Sequence, residues 1–338
     1  MRVAVVGATG AVGREMLRHL ESPAFPVDDP VLYCSTRSRG TAIPFGDRTL
    51  AAVALDASTI GEFDLVLASA GAGVTREWAP RFADRGAVVV DNSSAFRSDP
   101  ACPLVVPEIN AHTLTPDASI IANPNCSTIQ MVVALAPLHA AWGLTGVRVA
   151  TYQSVSGAGA RAIEELTAAT RAALAGEPPP ADVFPRGIAF NALPDIGSFD
   201  ACGESGEERK MREETRRILE IEDLAVSAVC VRVPVYRGHS EAVWASFERP
   251  VDAAEARALL TRAGVIVLDD PGSRVYPTAA EASGHPDVFV GRIRRDPGDP
   301  KTLLLWVVAD NLLKGAATNA YQIAVTLAER GWLPRRPA

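Results

Sequence analysis

A glycine-rich turn at the start of the chain constrains the fold more than any other feature. The opening MRVAVVGATGAVGREMLRHL is a short β-rich run, then glycines at 7, 10 and 13, then residues with helical periodicity. In this order, missing side chains let the backbone turn tightly and approach a pyrophosphate at the helix N-terminus. The alternative is a glycine turn that holds no ligand. We predict a dinucleotide site contacted by Gly7, Thr9, Gly10, Ala11 and Val12.

The segment after the second predicted strand, Val31 to Tyr33, indicates which dinucleotide binds. Its sequence is C-S-T-R-S-R-G. A site that prefers NAD usually offers Asp or Glu to the ribose hydroxyls here, whereas a carboxylate would repel the 2′-phosphate of NADP. Ser35, Arg37 and Ser38, with Arg39 close by, can instead hydrogen-bond and neutralise that phosphate. NADP is therefore the predicted cofactor, and the alternative is a solvated basic turn.

Strands and helices continue to alternate after this segment. Further strands are predicted at Leu65 to Ala68, Ala87 to Asp91 and Ile120 to Ala122, with a helix near Val74 to Arg85. This alternation predicts an α/β fold with a Rossmann-type, doubly wound parallel sheet. On such sheets, ligands bind beyond the carboxyl ends of the strands. The residues expected there are Gly71, Asn92, Arg97 and Cys126.

Length, charge and cysteine content narrow the class of protein. A chain of 338 residues favours two domains. The net charge of -7 disfavours nucleic-acid binding through a broad basic face. Five scattered cysteines, without Cys-x-x-Cys or Cys/His clusters, argue against a disulfide framework and against a zinc site. No apolar run reaches the ~20 residues of a membrane span. We expect a cytoplasmic protein with small-molecule ligands and no metal.

Cys126, in N-P-N-C-S-T-I-Q, is the candidate nucleophile. It follows a predicted strand and stands at or near a helix N-terminus, where Ser127 and Thr128 are plausible caps. The N–H groups and the dipole at such an end favour the thiolate. A thiolate beside a nicotinamide suits aldehyde oxidation through a thioester. The alternative is a buried, inert residue. That second interpretation is the one given to Cys34, Cys102, Cys202 and Cys230.

Six motifs follow one another along the chain: G-A-T-G-A-V-G, D-N-S-S-A-F-R, N-P-N-C-S-T, Q-S-V-S-G-A-G, R-V-P-V-Y-R-G-H-S and D-N-L-L-K-G-A-A-T-N-A. In sequence and order they closely resemble the motifs of the aspartate-β-semialdehyde dehydrogenase family. The resemblance covers nearly the whole chain. It implies NADPH-dependent reductive dephosphorylation of L-aspartyl 4-phosphate to L-aspartate 4-semialdehyde, through a thioester on Cys126. This is a step toward lysine, methionine, threonine and diaminopimelate. The resemblance also implies a homodimer or a homotetramer.

The resemblance assigns three further residues to the reacting groups. Gln153 would orient the substrate next to the thiolate, although a Gln at a strand end is otherwise a solvated amide. Arg232 would grip the substrate α-carboxylate, for which its planar fork is suited. His239 titrates near neutrality and would pass a proton to and from the carbonyl oxygen. We predict one strand that turns only at Gly238, with Arg232 on the same face as Pro234 and Tyr236.

The remaining carried-over residues would bind phosphate, ammonium and cofactor. Glu207 and Lys210 are three apart on one helical face and would meet the substrate ammonium and phosphate, although Glu204 or Glu208 could take the place of Glu207. Arg97 would pair with Lys210 around the phosphate. Asn125 can contact the same anion or steady the loop. The residues implied at the nicotinamide end are Ser156, Gly157 and Asn311.

The motif order also predicts the domain organisation. Residues 1–128 would form the NADP-binding domain, completed by 313–332. Residues 129–312 would form an α+β catalytic and dimerisation domain. The C-terminal helix would therefore return to the first domain. The family usually has Gly before D-N-L where this chain has Ala309, a small change that puts little in doubt.

Three other functions stay open. N-acetylglutamyl-phosphate reductase uses similar chemistry on a substrate without a free ammonium, which an acidic residue such as Glu207 disfavours. Reduction of a CoA thioester would need no phosphate pocket. A catalytically silent homologue that senses NADP would have no reason to keep four residues together: Cys126, Gln153, Arg232 and His239.

Overall fold

The chain forms two compact units. The structure, a computed structural model, describes residues 1–22, 25–27 and 29–333. The first unit is Met1–Pro124 together with the chain from Ala316 onward, and the second is Asn125–Gly315. Within the described residues, no helix combines the length and the apolar character needed to cross a bilayer.

The first unit is built from short strands and the helices between them. Its strands are β1 (Val3–Val6), β2 (Val31–Cys34), β3 (Ala42–Phe45), β4 (Arg48–Ala51), β5 (Val53–Ala54), β6 (Leu65–Ala68), β7 (Val88–Asp91) and β8 (Ile120–Ala122). Its first three α-helices are α1 (Ala11–Leu20), α2 (Ala72–Ala83) and α3 (Pro107–Asn110). The ends of the strands and of the helix that were predicted in this region therefore lie within two residues of the observed ends.

Six of these strands make one parallel sheet in the order β5-β2-β1-β6-β7-β8. Every neighbouring pair is parallel. Strands such as β1 (VAVV) and β6 (LVLA) are apolar at every position and buried throughout, as expected where both faces of a sheet are covered. β3 and β4 pair separately as an antiparallel hairpin. The predicted doubly wound sheet is confirmed.

The last helix of the chain, Thr318–Glu329, belongs to this first unit. It packs against α1 and α3 and contributes Ala320, Ile323 and Leu327 to the core on one side of the sheet. Phe82 of α2 lies in the core on the other side. The predicted return of the C-terminal helix is confirmed.

The second unit combines helices with longer strands. Its strands are β9 (Leu144–Gln153), β10 (Ala225–Arg232), β11 (His239–Phe247), β12 (Ile266–Val267), β13 (Val288–Arg295) and β14 (Thr302–Ala309). Its helices are α4 (Cys126–Trp142), α5 (Ala160–Leu174), α6 (Gly206–Leu219), α7 (Ala253–Arg262) and α8 (Ala279–Ala282), so that the C-terminal helix is α9.

The strands of the second unit form a mixed sheet in the order β10-β9-β11-β14-β13-β12. β10 runs parallel to β9, and β11 runs antiparallel to both β9 and β14. Burial alternates along β9, because one face of the sheet packs against α4. The expected α+β architecture of the second half is confirmed.

The prediction of a single strand from Cys230 to Gly238 was wrong, because β10 ends at Arg232. Pro234 has no N–H to donate to a ladder, and the Val235 N–H turns back to the carbonyl of Val233 at 2.8 Å. Arg232 therefore shares its buried face with Cys230 rather than with Pro234 and Tyr236.

Candidate active site

The glycine turn after β1 has the geometry of a pyrophosphate cradle. Gly7 has φ +88°, and a Cβ built there would lie 2.5 Å from the carbonyl oxygen of Ser69. A Cβ on Gly13 would lie 2.3 Å from the Gly7 carbonyl oxygen. Gly10 caps α1 without a side chain, so the N–H groups of the first turn are not covered by a capping group. This turn fits a dinucleotide phosphate at the positive end of α1.

The end of β2 carries a basic, hydroxyl-rich turn. Ser35 precedes a short 3₁₀ turn, Thr36–Ser38, in which Arg37 is exposed. Arg39 follows and is exposed as well. The turn has the chemistry of a 2′-phosphate site: one guanidinium and two hydroxyls beside the sheet edge where an adenosine ribose would lie.

Arg97 is held in place within the first unit. Its Nε donates to the carbonyl oxygen of Asn123 at 2.9 Å, and one terminal nitrogen donates to the carbonyl oxygen of Asn92 at 3.1 Å. Both carbonyls follow strands of the parallel sheet. The half-buried guanidinium is therefore fixed at the carboxyl ends of β7 and β8.

Cys126 is the first residue of α4, and its neighbours organise that helix end. Asn125 is the N-cap: its Oδ1 accepts from the N–H groups of Ser127 at 3.0 Å and Thr128 at 3.1 Å. The prediction that Ser127 and Thr128 are the caps was therefore wrong. Asn can take the extended N-cap conformation one residue earlier, which leaves Ser127 and Thr128 inside the helix as donors.

Gly315 packs directly against Cys126, which sequence reasoning did not foresee. It lies in a π-helical turn, Leu313–Ala317. A Cβ built on Gly315 would lie 2.7 Å from Cys126 Cβ and 3.2 Å from Cys126 Cα. Only glycine fits at this position without moving Cys126.

Arg232, Gln153 and His239 lie at one level of the mixed sheet. Arg232 of β10 pairs with Gln153 of β9, and the β9–β11 register, with Ser240 opposite Tyr152, puts His239 level with Gln153. All three side chains are buried. The strand ends thus bring together three of the predicted residues on the sheet face that packs against α4.

The Arg232 guanidinium is buried and oriented by the backbone. One terminal nitrogen donates to the carbonyl oxygen of Ser154 at 2.7 Å. Burial lowers its pKa, although the charges of Glu207 and of a Cys126 thiolate oppose this effect. Arg232 and Cys126 therefore stabilise each other electrostatically, which favours the thiolate.

His239 is held in a defined tautomer. Its Nδ1 accepts the backbone N–H of Ser154 at 3.0 Å, so the proton of the neutral ring is on Nε2. Nε2 is buried and has no hydrogen-bond partner among the described residues. Burial and the charge of Arg232 lower the pKa of His239 to about 3, so the expectation that His239 titrates near neutrality was wrong. A Cβ on Gly157 would lie 3.4 Å from Nε2, so the absence of a side chain there leaves space in front of this nitrogen.

Glu207 is the centre of a buried polar cluster. Its Oε2 meets Lys210 Nζ at 3.1 Å. Its Oε1 accepts from the side-chain amides of Asn125 at 2.8 Å and Gln153 at 3.3 Å. Burial raises the pKa of Glu207, but Lys210, Asn125 and Arg232 together outweigh it, so the pKa lies below the ordinary value. Glu207 is therefore a buried carboxylate.

The other two acidic candidates on this segment have different partners. Glu204 forms a bidentate pair with Arg212 at 3.0 and 2.8 Å. Glu208 closes a capping box with Ser205 and accepts the N–H of Cys230 at 3.0 Å. Only Glu207 of the three is joined to Asn125 and Gln153 by described hydrogen bonds.

Asn311 and Asp310 brace the loops that carry the site. Asn311 Oδ1 accepts from the Gly238 N–H at 3.0 Å and from the hydroxyls of Ser154 at 3.0 Å and Ser156 at 3.1 Å. Asp310 pairs with Arg237, and its carbonyl oxygen accepts the N–H of Gly315 at 3.2 Å. The structure thus joins the predicted residues Asn311 and Ser156 to the backbone around His239. The role of Asp310 was missed because a charged residue at a strand end resembles a solvated one.

A parallel sheet with a glycine cradle, a cysteine at a helix N-terminus and a buried histidine define the class of thiol-dependent, dinucleotide-linked dehydrogenases. Comparisons with known proteins specify the family. Residues 2–116 match the model described as semialdehyde dehydrogenase, NAD binding domain, and residues 135–314 match the one described as semialdehyde dehydrogenase, dimerisation domain.

Relatives of known name match almost the whole chain. An aspartate-semialdehyde dehydrogenase of Aquifex aeolicus is 51% identical over 98% of each chain. One from Legionella pneumophila is 50% identical over 97% of this chain and 95% of the relative. The crystal structure of aspartate semialdehyde dehydrogenase II from Vibrio cholerae, complexed with ASA, has a TM-score of 0.93 and 42% identity, covering 97% of this chain and 98% of that chain. The chain belongs to the aspartate-semialdehyde dehydrogenase family.

Proposed function

We propose that this protein catalyses the NADPH-dependent reductive dephosphorylation of L-aspartyl 4-phosphate to L-aspartate 4-semialdehyde and phosphate. The product feeds the synthesis of lysine, methionine, threonine and diaminopimelate. The observation that carries the proposal is the placement of Cys126 at the first position of α4 in the same unit as buried Arg232 and His239. Relatives that carry this enzyme's name over their full length support it.

The reaction begins with the Cys126 thiolate. It attacks the acyl carbon of aspartyl phosphate, the C–O bond to phosphate breaks, and a thioester remains on Cys126. The positive end of α4 and the Arg232 guanidinium stabilise the thiolate before this step. Gln153 lies beside the same cluster and orients the acyl group.

The second half-reaction uses His239. When bound, NADPH would supply the hydride that reduces the thioester carbon. His239 Nε2 carries a hydrogen that has no partner among the described residues, so it can donate to the oxygen that becomes negative. As the thiohemiacetal collapses to the aldehyde, the C–S bond breaks and the Cys126 thiolate returns. His239 gives its Nε2 proton to the oxygen of the thiohemiacetal and takes that proton back as the C–S bond breaks, so it serves as the acid and base of the cycle.

Substrate charges are matched by charges of the protein. Arg232 binds the α-carboxylate as a planar fork. Glu207 receives the α-ammonium, while Lys210 and Arg97 bind the phosphate. Asn125 holds both Cys126 and Glu207 in position, because it caps α4 and donates to Glu207 at 2.8 Å.

NADP(H) is the proposed cofactor. A relative from Candida albicans, 25% identical with a TM-score of 0.76, has a crystal structure described as containing NADP. The residues assigned to the pyrophosphate and 2′-phosphate are Gly7, Thr9, Gly10, Ala11, Val12, Ser35, Arg37 and Ser38, and those assigned to the nicotinamide end are Ser156, Gly157 and Asn311. We assign cofactor binding to residues 1–128 with 313–332 and catalysis to 129–312. The two compact units, which change over at Pro124 and at Gly315, support this division to within four residues.

We also propose that the second unit forms a homodimer, alone or within a tetramer. The sheet face opposite α4 carries aromatic side chains that are only partly buried, among them Tyr152, Trp244 and Trp306. A cavity of about 410 Å³ opens beside Trp306 and Tyr276. Such an apolar face is typical of a subunit interface. The scattered cysteines of the sequence favour a cytoplasmic location.

The test is nicotinamide absorbance after mixing the protein with aspartate semialdehyde, phosphate and NADP. Wild type should produce NADPH only when phosphate is present, and Cys126→Ala should produce none. Wild type that binds NADPH yet shows no turnover would refute the assignment and favour a silent homologue. Turnover with N-acetylglutamyl semialdehyde, or with CoA in place of phosphate, would favour the two other reductases.

A further inference from the structure

A carboxyl group without a role in this mechanism is buried inside the second unit. Glu241 lies in β11 and is 0% exposed. Neither of its carboxyl oxygens has a hydrogen-bond partner among the described residues. A carboxylate in such a place loses its hydration without compensation, which is costly enough that the group takes up a proton instead. Burial accordingly raises the pKa of Glu241 well above its ordinary value.

Glu241 lies one level below the catalytic residues of the sheet. It pairs with Thr151 of β9 on one side and Val307 of β14 on the other, and Thr151 pairs with Cys230 of β10. Alternate residues of a strand share a face, so Glu241 points to the same side as His239, two residues earlier. Three neighbouring residues on adjacent strands, Cys230, Thr151 and Glu241, therefore form a row across the sheet. This row lies next to the row formed by Arg232, Gln153 and His239.

The side chain that faces Glu241 comes from the helix of the nucleophile. Gln130 of α4 lies one helical turn after Cys126, and its amide lies against the Glu241 carboxyl. Gln130 Nε2 donates to the carbonyl oxygen of His239 at 3.4 Å. Gln130 Oε1 is buried and has no partner among the described residues. Gln130 Oε1 and the two Glu241 oxygens are thus buried acceptors of neighbouring side chains that lack a donor, and a hydrogen on the carboxyl would supply one.

We propose that Glu241 is a positioning residue that works as a neutral carboxylic acid. Its O–H donates to Gln130 Oε1, and Gln130 in turn holds the His239 carbonyl through Nε2. The chain of contacts ties the first turns of α4, which carry Cys126, to the start of β11, which carries His239. It thereby fixes the separation of nucleophile and acid–base residue. The kinetic consequence rests on the proposed function, but the protonation of Glu241 does not.

Protonation is tested by unfolding wild type and Glu241→Gln in urea between pH 5 and 8. In the unfolded chain the carboxyl ionises near pH 4.5, whereas in the folded chain it stays neutral. The unfolding constant of wild type relative to Glu241→Gln should therefore rise about tenfold per pH unit until the folded carboxyl ionises. A ratio that does not change with pH would overturn the proposal. This measurement needs no enzymatic activity.

Positioning is tested by kinetics and by thiol chemistry. Glu241→Leu should lower kcat at least tenfold with KM within threefold, and should slow alkylation of Cys126 by iodoacetamide. Glu241→Gln, which can still donate to Gln130 Oε1, should restore both to within threefold of wild type. Glu165→Leu is the control. Glu165 lies in α5, and its buried carboxyl accepts the backbone N–H groups of Asp182 and Val183, so the variant also removes a buried carboxyl from the second unit.

The outcomes are distinguishable. If Glu241→Gln is as impaired as Glu241→Leu, the carboxyl acts in its ionised form and the proposal fails. If Glu241→Leu and Glu165→Leu lose kcat equally, the role of Glu241 is stability alone. If wild type has no activity on aspartate semialdehyde, the proposed function fails, while the alkylation rates and the unfolding ratios still decide the role of Glu241.

Discussion

Replacing Gly315 with alanine should slow the reaction ten- to a hundredfold without weakening NADPH binding. The added Cβ would lie 2.7 Å from Cys126 Cβ, whereas ordinary contacts begin near 3.4 Å, so the two atoms must separate by about 0.7 Å. Neither atom is the end of a flexible side chain that could swing away. A misplacement of about 1 Å at a reacting group can cost roughly 10²-fold in rate.

The shift should fall on Cys126 rather than on Gly315. The Gly315 N–H donates to the carbonyl oxygen of Asp310 at 3.2 Å, and Asp310 is itself held by Arg237 and by the Gly284 N–H at 2.7 Å. Hydrogen bonds through Asp310 therefore hold the π-helical turn in place. Overpacking of this kind also costs about 1–3 kcal/mol of folding free energy.

The assay compares kcat, the rate of Cys126 alkylation and the Kd for NADPH in wild type and Gly315→Ala. Gly73→Ala is the matched control, because a Cβ on Gly73 meets no atom within 4 Å and the residue lies inside α2. It should keep the wild-type rate and gain up to about 1 kcal/mol of stability. If Gly315→Ala matches wild type in both kcat and alkylation rate, the contact does not position the nucleophile, and the reasoning is refuted.

Three further predictions concern single charges. Unfolded His239 takes up a proton near pH 6.5 and the folded residue only near 3, so stability falls as the pH drops from 6.5. Urea unfolding at pH 6.5 and 5 should show wild type losing about 1.6 kcal/mol more than His239→Asn, and parallel losses would contradict the cited pKa. Arg37→Ala should raise the KM for NADPH at least tenfold and leave the KM for NADH within twofold; equal effects would assign Arg37 to the shared part of the cofactor. Lys210→Ala should raise the KM for phosphate more than tenfold in the oxidative direction, and an unchanged KM would remove Lys210 from the phosphate site.

Local patterns predicted the first unit well because its elements are defined by neighbours in sequence. The strand, the glycine turn and the helix around Gly7 are contiguous, and the turn requires residues without side chains. In the second unit, the helical face shared by Glu207 and Lys210 was predicted for the same reason, and it lies in α6. Where contacts join distant residues, the patterns were insufficient. Nothing near Gly315 in sequence indicates Cys126, which is almost two hundred residues earlier.

Two of the sequence predictions failed because polar residues had competing roles. Asn125, Ser127 and Thr128 are all good caps. The choice of Asn125 depends on Glu207, which accepts from its side-chain amide at 2.8 Å, and on Glu214, which accepts from its backbone N–H at 2.6 Å. β10 ends at Arg232 because Pro234 has no N–H to donate to the next hydrogen bond of the β-ladder. Both outcomes follow from the partner segments, which a linear pattern does not contain.

The pairing of Glu207 with Lys210 explains how a buried carboxylate can wait for a cationic group of the substrate. Glu207 is fixed, with its side chain 7% exposed and held by two amides, whereas the Lys210 side chain is 38% exposed and can move. In the function proposed above, a substrate that brings both an ammonium and a phosphate would let Lys210 leave Glu207 for the phosphate while the ammonium takes its place. No buried charge is left without a partner in this exchange, so binding avoids the several-kcal/mol penalty of an isolated ion. An N-acylated substrate offers the phosphate but no ammonium, and it would strand Glu207. We therefore propose that this arrangement selects for a free amino group, because other substrates would leave the Glu207 carboxylate without its cationic partner.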